Sequence, residues 1–237
     1  MGMANVNRTP AQPRILAPGA HAATWAVHST HLLQYYLQHD IETATHSWRM
    51  SRLATRLAQH LHCSPEEIAI VRSTALLHDI GKALIPPAIL QKPAKLTPAE
   101  YHIVQQHARY SYHLVQNSAP ATPCWQNIGM AVLHHHEHWN GSGYPAQLAG
   151  TNIPQAARIC AVADVWDALI SPRIYRPARD PAVVAAYLRA EAGQSLDPLV
   201  VDGLLTMPGL MQSAHAHTAQ DSRQLRPGTI LREQLGG

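Results

Sequence analysis

Two tetrapeptides restrict the fold more than anything else in the chain. Ser64–Glu67 reads SPEE and Thr97–Glu100 reads TPAE. Each combines a hydroxyl cap, a proline in the first turn and a glutamate three residues after the cap. That arrangement satisfies the orphan amides of a helix start from both directions. Asp197-Pro198 is a shorter form of the same signal. Apolar residues then recur at the helical period, and no alternating run of strand length interrupts them. The expected helices lie near 22–39, 43–62, 65–78, 98–117, 123–138, 155–170, 181–192 and 198–206. Loops rich in Pro and Gly are expected at 81–97, 139–154 and 171–180. Such a chain folds as an all-α domain.

Its 237 residues can bury one sizeable core and have little room for a second. Apolar residues make up 46% and charged residues 14%, a globular balance. Residues 1–20 read as a mobile arm, 21–211 as the helical domain and 212–237 as a polar tail. Within the tail, Leu225–Glu233 holds a short β-like run that is expected to be ordinary tail. No apolar run approaches the ~18–20 residues of a membrane span. The opening segment lacks the apolar core of a secretory signal, so the cytoplasm is the expected location. A formal charge of +3 without a long basic run argues against duplex nucleic acid. Cys63, Cys124 and Cys160 are unevenly spaced in apolar segments and read as buried free thiols.

The 17 histidines carry the chemistry. LLHDIGK, Leu76–Lys82, ends an apolar helix with an adjacent imidazole and carboxylate, a donor mixture suited to Fe, Mn or Zn. Lys82 can face a phosphate, although a helix end with a cation and a glycine stop accounts for the same letters. Glu42 and His46 are four apart, hence on one helix face, with His46 continuing the stripe of Met50, Leu53 and Leu57. His107 is placed on a buried face by Ile103 and Leu114, while His102 and His113 fall off it. Alone, His46 or His107 would be a core histidine. Asp164 sits among Ala, Val and Trp, where a carboxylate needs a metal, a cation or a cap. Asp167 is either its hydrogen-bonding support or a partner of Arg158 or Arg173. In VLHHHEHWNGSGYP, Trp125, Ile128, Val132 and Trp139 mark an inward side on which His135 and His136 fall, leaving His134 and His138 flanking or solvated. Five such donor groups on separate helices are an improbable coincidence in a bland helical core.

HDIGK, then HHEHWNGSGYP, then IPQAARICAVADVWDALISPRIYR (Ile153–Arg176) resembles, in that order, the HD-GYP family, a branch of the HD metal-dependent phosphohydrolases. The resemblance spans about residues 40 to 205 and implies an HD-domain helical bundle with a GYP loop. It further implies two or three divalent ions, iron or manganese, held by His46, His78, Asp79, His107, His135, His136 and Asp164. Glu42 matches the extra carboxylate of three-metal members. Asp79 would bridge two ions, Lys82 would face the phosphate, and Arg173 and Arg176 would bind the phosphates of a cyclic dinucleotide. The implied activity is hydrolysis of cyclic di-GMP to pGpG, GMP or both, by a metal-activated hydroxide. Some members of the family take cyclic GMP-AMP instead. Departures from the family pattern are small: Asn140 stands for Asp, Ser111 for Gly and Ile174 for Pro.

Two other classes remain open at this level. One is a signalling module that binds the nucleotide, or a diguanylate cyclase domain through the GYP loop, without turnover. The other is an HD phosphohydrolase acting on a different nucleotide. A homodimer is compatible with either. On this register, His135→Ala and His136→Ala should each abolish metal binding and activity while His134→Ala keeps most of both. Metal analysis beside a product assay checks that ranking.

Overall fold

The computed structural model describes residues 41–118, 122–172 and 177–211. The expected helix at 22–39, the N-terminal arm and the tail lie outside the described residues. Among the described residues nine α-helices follow in order: α1 Ile41–His60, α2 Pro65–Leu77, α3 Pro87–Leu90, α4 Pro98–Gln105, α5 His107–Asn117, α6 Pro123–Leu133, α7 Gln155–Ile170, α8 Pro181–Glu191 and α9 Pro198–Thr206. Short 3-10 turns cover Ile80–Leu84 and Gly150–Asn152. Isolated bridges pair Asn140 with Ala149 and Ala192 with Leu196, and no sheet forms among the described residues. The fold is an all-α bundle, and none of its described helices is long and apolar enough to cross a membrane.

Helix starts follow their caps. Ser64 and Thr97 both close reciprocal capping boxes with Glu67 and Glu100. Thr122, Asp180 and Asp197 cap α6, α8 and α9 through their side chains. Asp197 also accepts from Arg158 of α7 at 2.5 Å, so one carboxylate starts α9 and ties it to α7.

The centre of the bundle is α2. Ile70, Val71, Ser73, Thr74, Ala75, Leu76 and Leu77 are all buried. From Ile70 onward the helix is enclosed on nearly every side, as a core helix is, and α2 packs against α1, α6 and α7. Met50 and Leu57 of α1, Trp125 and Ile128 of α6, and Ile159 and Trp166 of α7 complete that core. The buried Trp125 indole needs an acceptor and donates to the Val115 carbonyl at 2.5 Å.

Two expected helices end early. The helix expected over 98–117 breaks at Gln106, giving α4 and α5. At the break the His107 ring bonds the Val104 carbonyl at 2.6 Å, occupying an acceptor that a continuous helix would use. Ile103, expected to mark the buried face, is 38% exposed, so His107 is inward because of this break and not because of that stripe. The helix expected over 123–138 stops at Leu133, and His134–His136 lie in turns. The loop expected at 81–97 contains α3 and a 3-10 turn. Of the cysteines, Cys160 is buried, while Cys63 and Cys124 are only half-buried.

The turn after α2 lies hard against α5. A Cβ on Gly81 would fall 2.3 Å from the His107 carbonyl oxygen and 2.5 Å from Ser111 N. The Gly81 amide donates to Ser111 Oγ at 2.8 Å. Gly81→Ala should therefore cost about 1–3 kcal/mol through overpacking. Urea unfolding measures it, and wild-type stability would show that the turn can move aside.

Candidate metal centre

Three histidines occupy helix ends and are oriented the same way. His78 follows α2 and its Nδ1 bonds the Ala75 carbonyl at 2.9 Å. His107 opens α5 and bonds Val104 at 2.6 Å. His135 follows α6 and bonds Val132 at 2.6 Å. A carbonyl can only accept, so each Nδ1 carries the proton and each Nε2 presents a lone pair. Those lone pairs converge. The Nε2 atoms of His107 and His135 stand 3.4 Å apart, and those of His136 and His107 stand 3.1 Å apart. His78 Nε2 is buried and makes no hydrogen bond, although Asp79 Oδ2 is 3.3 Å away.

Asp79 sits in the middle. Its Oδ1 is 3.3 Å from His107 Nε2, and its Oδ2 receives Lys82 Nζ at 2.5 Å. One donor atom each from Asp79, His107, His135 and His136 falls within 4.8 Å of the others, and so does one each from His46, His78 and Asp79. The two groups share the Asp79 carboxylate. Facing lone pairs beside an anionic oxygen repel unless a cation lies among them, and the nitrogen and oxygen donors suit a borderline transition metal. The residues fit a divalent ion.

His46 comes in from α1 under a different constraint. Its Nδ1 contacts Asp167 Oδ2 at 2.7 Å and its Nε2 contacts Asp164 Oδ1 at 3.0 Å. Arg49, one turn along α1, holds the same Asp167 through Nε at 3.1 Å and its terminal nitrogen at 3.0 Å. Asp167 thus supports His46 and engages Arg49, whereas Arg158 is taken by Asp197. Asp164, at 26% side-chain exposure, opens towards the site and not into the core.

Charge in the cluster is set for a cation. Burial and the neighbouring His136 hold His135 far below the usual imidazole range. Burial and His107 bring His136 down to about 3. Burial lowers His107 against the pull of Asp79. Burial would raise Asp79, but the charge of Lys82, followed by His78 and His107, holds it well below the ordinary carboxylate value. Burial would raise Asp164 as well, and its bond to His46 outweighs this and lowers it. Near neutrality the described cluster therefore offers ionised carboxylates, with His107, His135 and His136 as neutral imidazoles.

The structure brings His46, His78, Asp79, His107, His135 and His136 together, with Asp164 against His46 and Lys82 on Asp79. The Glu42 side chain, Arg173 and Arg176 lie outside the described residues. His134, expected to be flanking or solvated, is 5% exposed and bonds Glu137 at 3.3 Å. His138 is half-buried and bonds Ser142 Oγ at 2.9 Å. Asn140 Oδ1 accepts from Ser142 N at 3.0 Å, a bond that the commoner Asp would make equally well. Sequence reasoning missed Arg49, whose spacing of three from His46 places it on the same face of α1. It also missed Glu137.

A helical bundle that converges imidazoles and carboxylates from five segments on one point defines a divalent-metal site. The HD domain family matches residues 29–200, and the chain belongs to the HD-domain phosphohydrolases in their HD-GYP branch. RpfG, a cyclic di-GMP phosphodiesterase response regulator of Xanthomonas campestris pv. campestris, is 44% identical over 158 residues, which are 66% of this chain and 41% of that protein. The 3'3'-cGAMP-specific phosphodiesterase 2 of Vibrio cholerae is 36% identical over 164 residues, 69% of this chain and 31% of that protein. This chain thus spans less than half the length of either relative. Bd1817, an HDG"Y"P protein from Bdellovibrio bacteriovorus, superposes with a TM-score of 0.55 at 22% identity over 68% of this chain and 50% of that one, a likeness of fold.

The His46 network makes stability pH-dependent. Burial lowers this imidazole, but bonds to Asp164 and Asp167 reverse that and raise it from 6.5 to about 10. A raised folded-state pKa stabilises fully below the unfolded value, and the gain is lost as pH climbs to the folded one. The metal-free protein should accordingly lose Tm as pH rises from about 6.5 towards 10. His46→Gln should flatten that slope, and thermal melts across the range decide it.

Proposed function

We propose that this chain hydrolyses a bacterial cyclic dinucleotide, with cyclic di-GMP as its substrate, to pGpG, GMP or both. The observation that carries the reading is the Asp79 carboxylate shared between two imidazole groups, with the Lys82 ammonium beside it. Two-ion hydrolysis of a phosphodiester requires a ligand common to both ions and a cation at the phosphate.

His46, His78, Asp79 and Asp164 would hold one ion, and Asp79, His107, His135 and His136 the other. Glu42 would complete a third site. Iron or manganese matches the mixed nitrogen and oxygen donors. Divalent ions held there would supply Lewis acidity towards a phosphate and a nucleophile at neutral pH. The chain's own groups do the rest. Carbonyl-anchored imidazoles keep their geometry through the reaction, which removes reorganisation cost from the transition state. Asp167 and Arg49 hold His46 upright. Lys82, 29% exposed, stands at the rim, where its ammonium can turn from Asp79 to a phosphate oxygen. Arg173 and Arg176 would bind the second phosphate. Water oxygen bonds to phosphorus as the bond to the ribose 3′-oxygen breaks, and that oxygen leaves with a proton. One cut gives pGpG, and a second gives two GMP.

The relatives divide between cyclic di-GMP and 3'3'-cGAMP by name, so the assay offers both. Protein loaded anaerobically with iron, or with manganese, is incubated with each, and products are resolved chromatographically. Release of pGpG or GMP is expected. Retained binding without product under either metal would favour the non-hydrolysing module instead. Lys82→Ala should lower kcat by about 10²-fold or more while leaving metal content intact.

A further inference from the structure

Glu137 is a buried carboxylate that the metal groups do not use. Its side chain is 0% exposed, yet neither donor group includes it. A carboxylate withdrawn from water must be satisfied by donors. Ala146 N donates to Oε1 at 2.7 Å, Leu148 N to Oε2 at 3.1 Å, and His134 Nδ1 lies 3.3 Å from Oε1. Ala146 and the neighbouring Gln147 are themselves exposed. The carboxylate therefore grips an outer loop from beneath and closes the chain back on itself across Glu137–Leu148.

That loop carries Tyr144. Tyr144 N donates to the His136 carbonyl at 3.2 Å, and its ring stacks on the His136 imidazole with centroids 4.9 Å apart and planes 28° apart. The loop fits closely, since a Cβ on Gly143 would fall 2.3 Å from His138 N and 2.5 Å from Glu137 Cα. His78, His107 and His135 are aimed by backbone carbonyls, whereas His136 packs against the Tyr144 ring and against His135, whose centroid lies 4.0 Å away. His136 belongs to the Asp79, His107 and His135 group and not to the His46 and His78 group.

We propose that Glu137 is a positioning residue for one of the two ion pockets. It anchors the loop that lays Tyr144 on His136, and so sets a ring that this pocket uses and the other does not. The inference rests on the reading that these groups hold divalent ions.

Glu137→Gln offers one carbonyl oxygen in place of two carboxylate oxygens, so one loop amide loses its acceptor. Tyr144→Leu removes the stacking partner and leaves Glu137 untouched. The full chain and both variants are titrated anaerobically with Co2+, followed by visible absorption and by bound-metal analysis, with Tm alongside. Each variant should weaken one binding step roughly 10- to 100-fold, as supporting partners of metal ligands do, and leave the other step unchanged. The double variant should be no worse than the single ones, because both act through one chain of contacts. Equal weakening of both steps, or a lowered Tm with wild-type cobalt binding, overturns the positioning role while the metal reading stands. Wild-type protein that takes up no cobalt overturns both. If Glu137→Gln does not fold, Tyr144→Leu decides alone.

Discussion

The site depends on one repeated interaction, an imidazole Nδ1–H donated to a carbonyl three residues earlier at the end of a helix. A helix C-terminus leaves its last carbonyls without amide partners. His78 and His135 use such carbonyls directly, and His107 uses one where α4 gives way to α5. In each case a bond that would otherwise go to water fixes a tautomer and a ring orientation together. The backbone left over from helix formation thereby becomes scaffolding for the donors.

Everything near the centre is arranged around keeping those helix ends converged. The C-terminal half of α2 is buried and delivers His78 and Asp79 where the helix stops. Gly81 then lets the following turn press against α5, which brings Asp79 to His107. α7 contributes from the opposite side through Asp164 and Asp167, and Arg49 clamps Asp167 against His46. The charges follow from the packing. Burial holds His107, His135 and His136 as neutral imidazoles with a single ring proton each, while the Lys82 ammonium keeps Asp79 ionised in the same small volume.

Much of this was legible in the letters. Capping boxes and helical periodicity located the described helices to within a residue or two at Pro65, Pro98, Gln155, Pro181 and Pro198. Inward placement of His46, His78, Asp79, His107, His135 and His136 was also readable, though not always for the right reason. For His107 and His135, a helical-wheel argument extended helices that the imidazoles themselves interrupt. Periodicity carries no information about a side chain that competes with the backbone for its own carbonyl. His134, expected to be flanking or solvated, is buried against Glu137, which acts on a loop up to eleven residues further on, a pairing that no helical spacing encodes. Asp167 left several partners open, and the choice of His46 and Arg49 over Arg158 depended on how α1 and α7 pack.

The burial of the C-terminal half of α2 has a consequence for how such a chain can diverge. Ile70, Val71, Ala75, Leu76 and Leu77 are all core, and the same rigid rod runs into the shared carboxylate. A change of one methylene along α2 shifts the position of Asp79 as well as the packing, because close-packed interiors transmit strain instead of absorbing it. Drift in this helix should thus show itself in the geometry of the donor cluster well before the fold is lost, and selection on that cluster would police residues that never touch it.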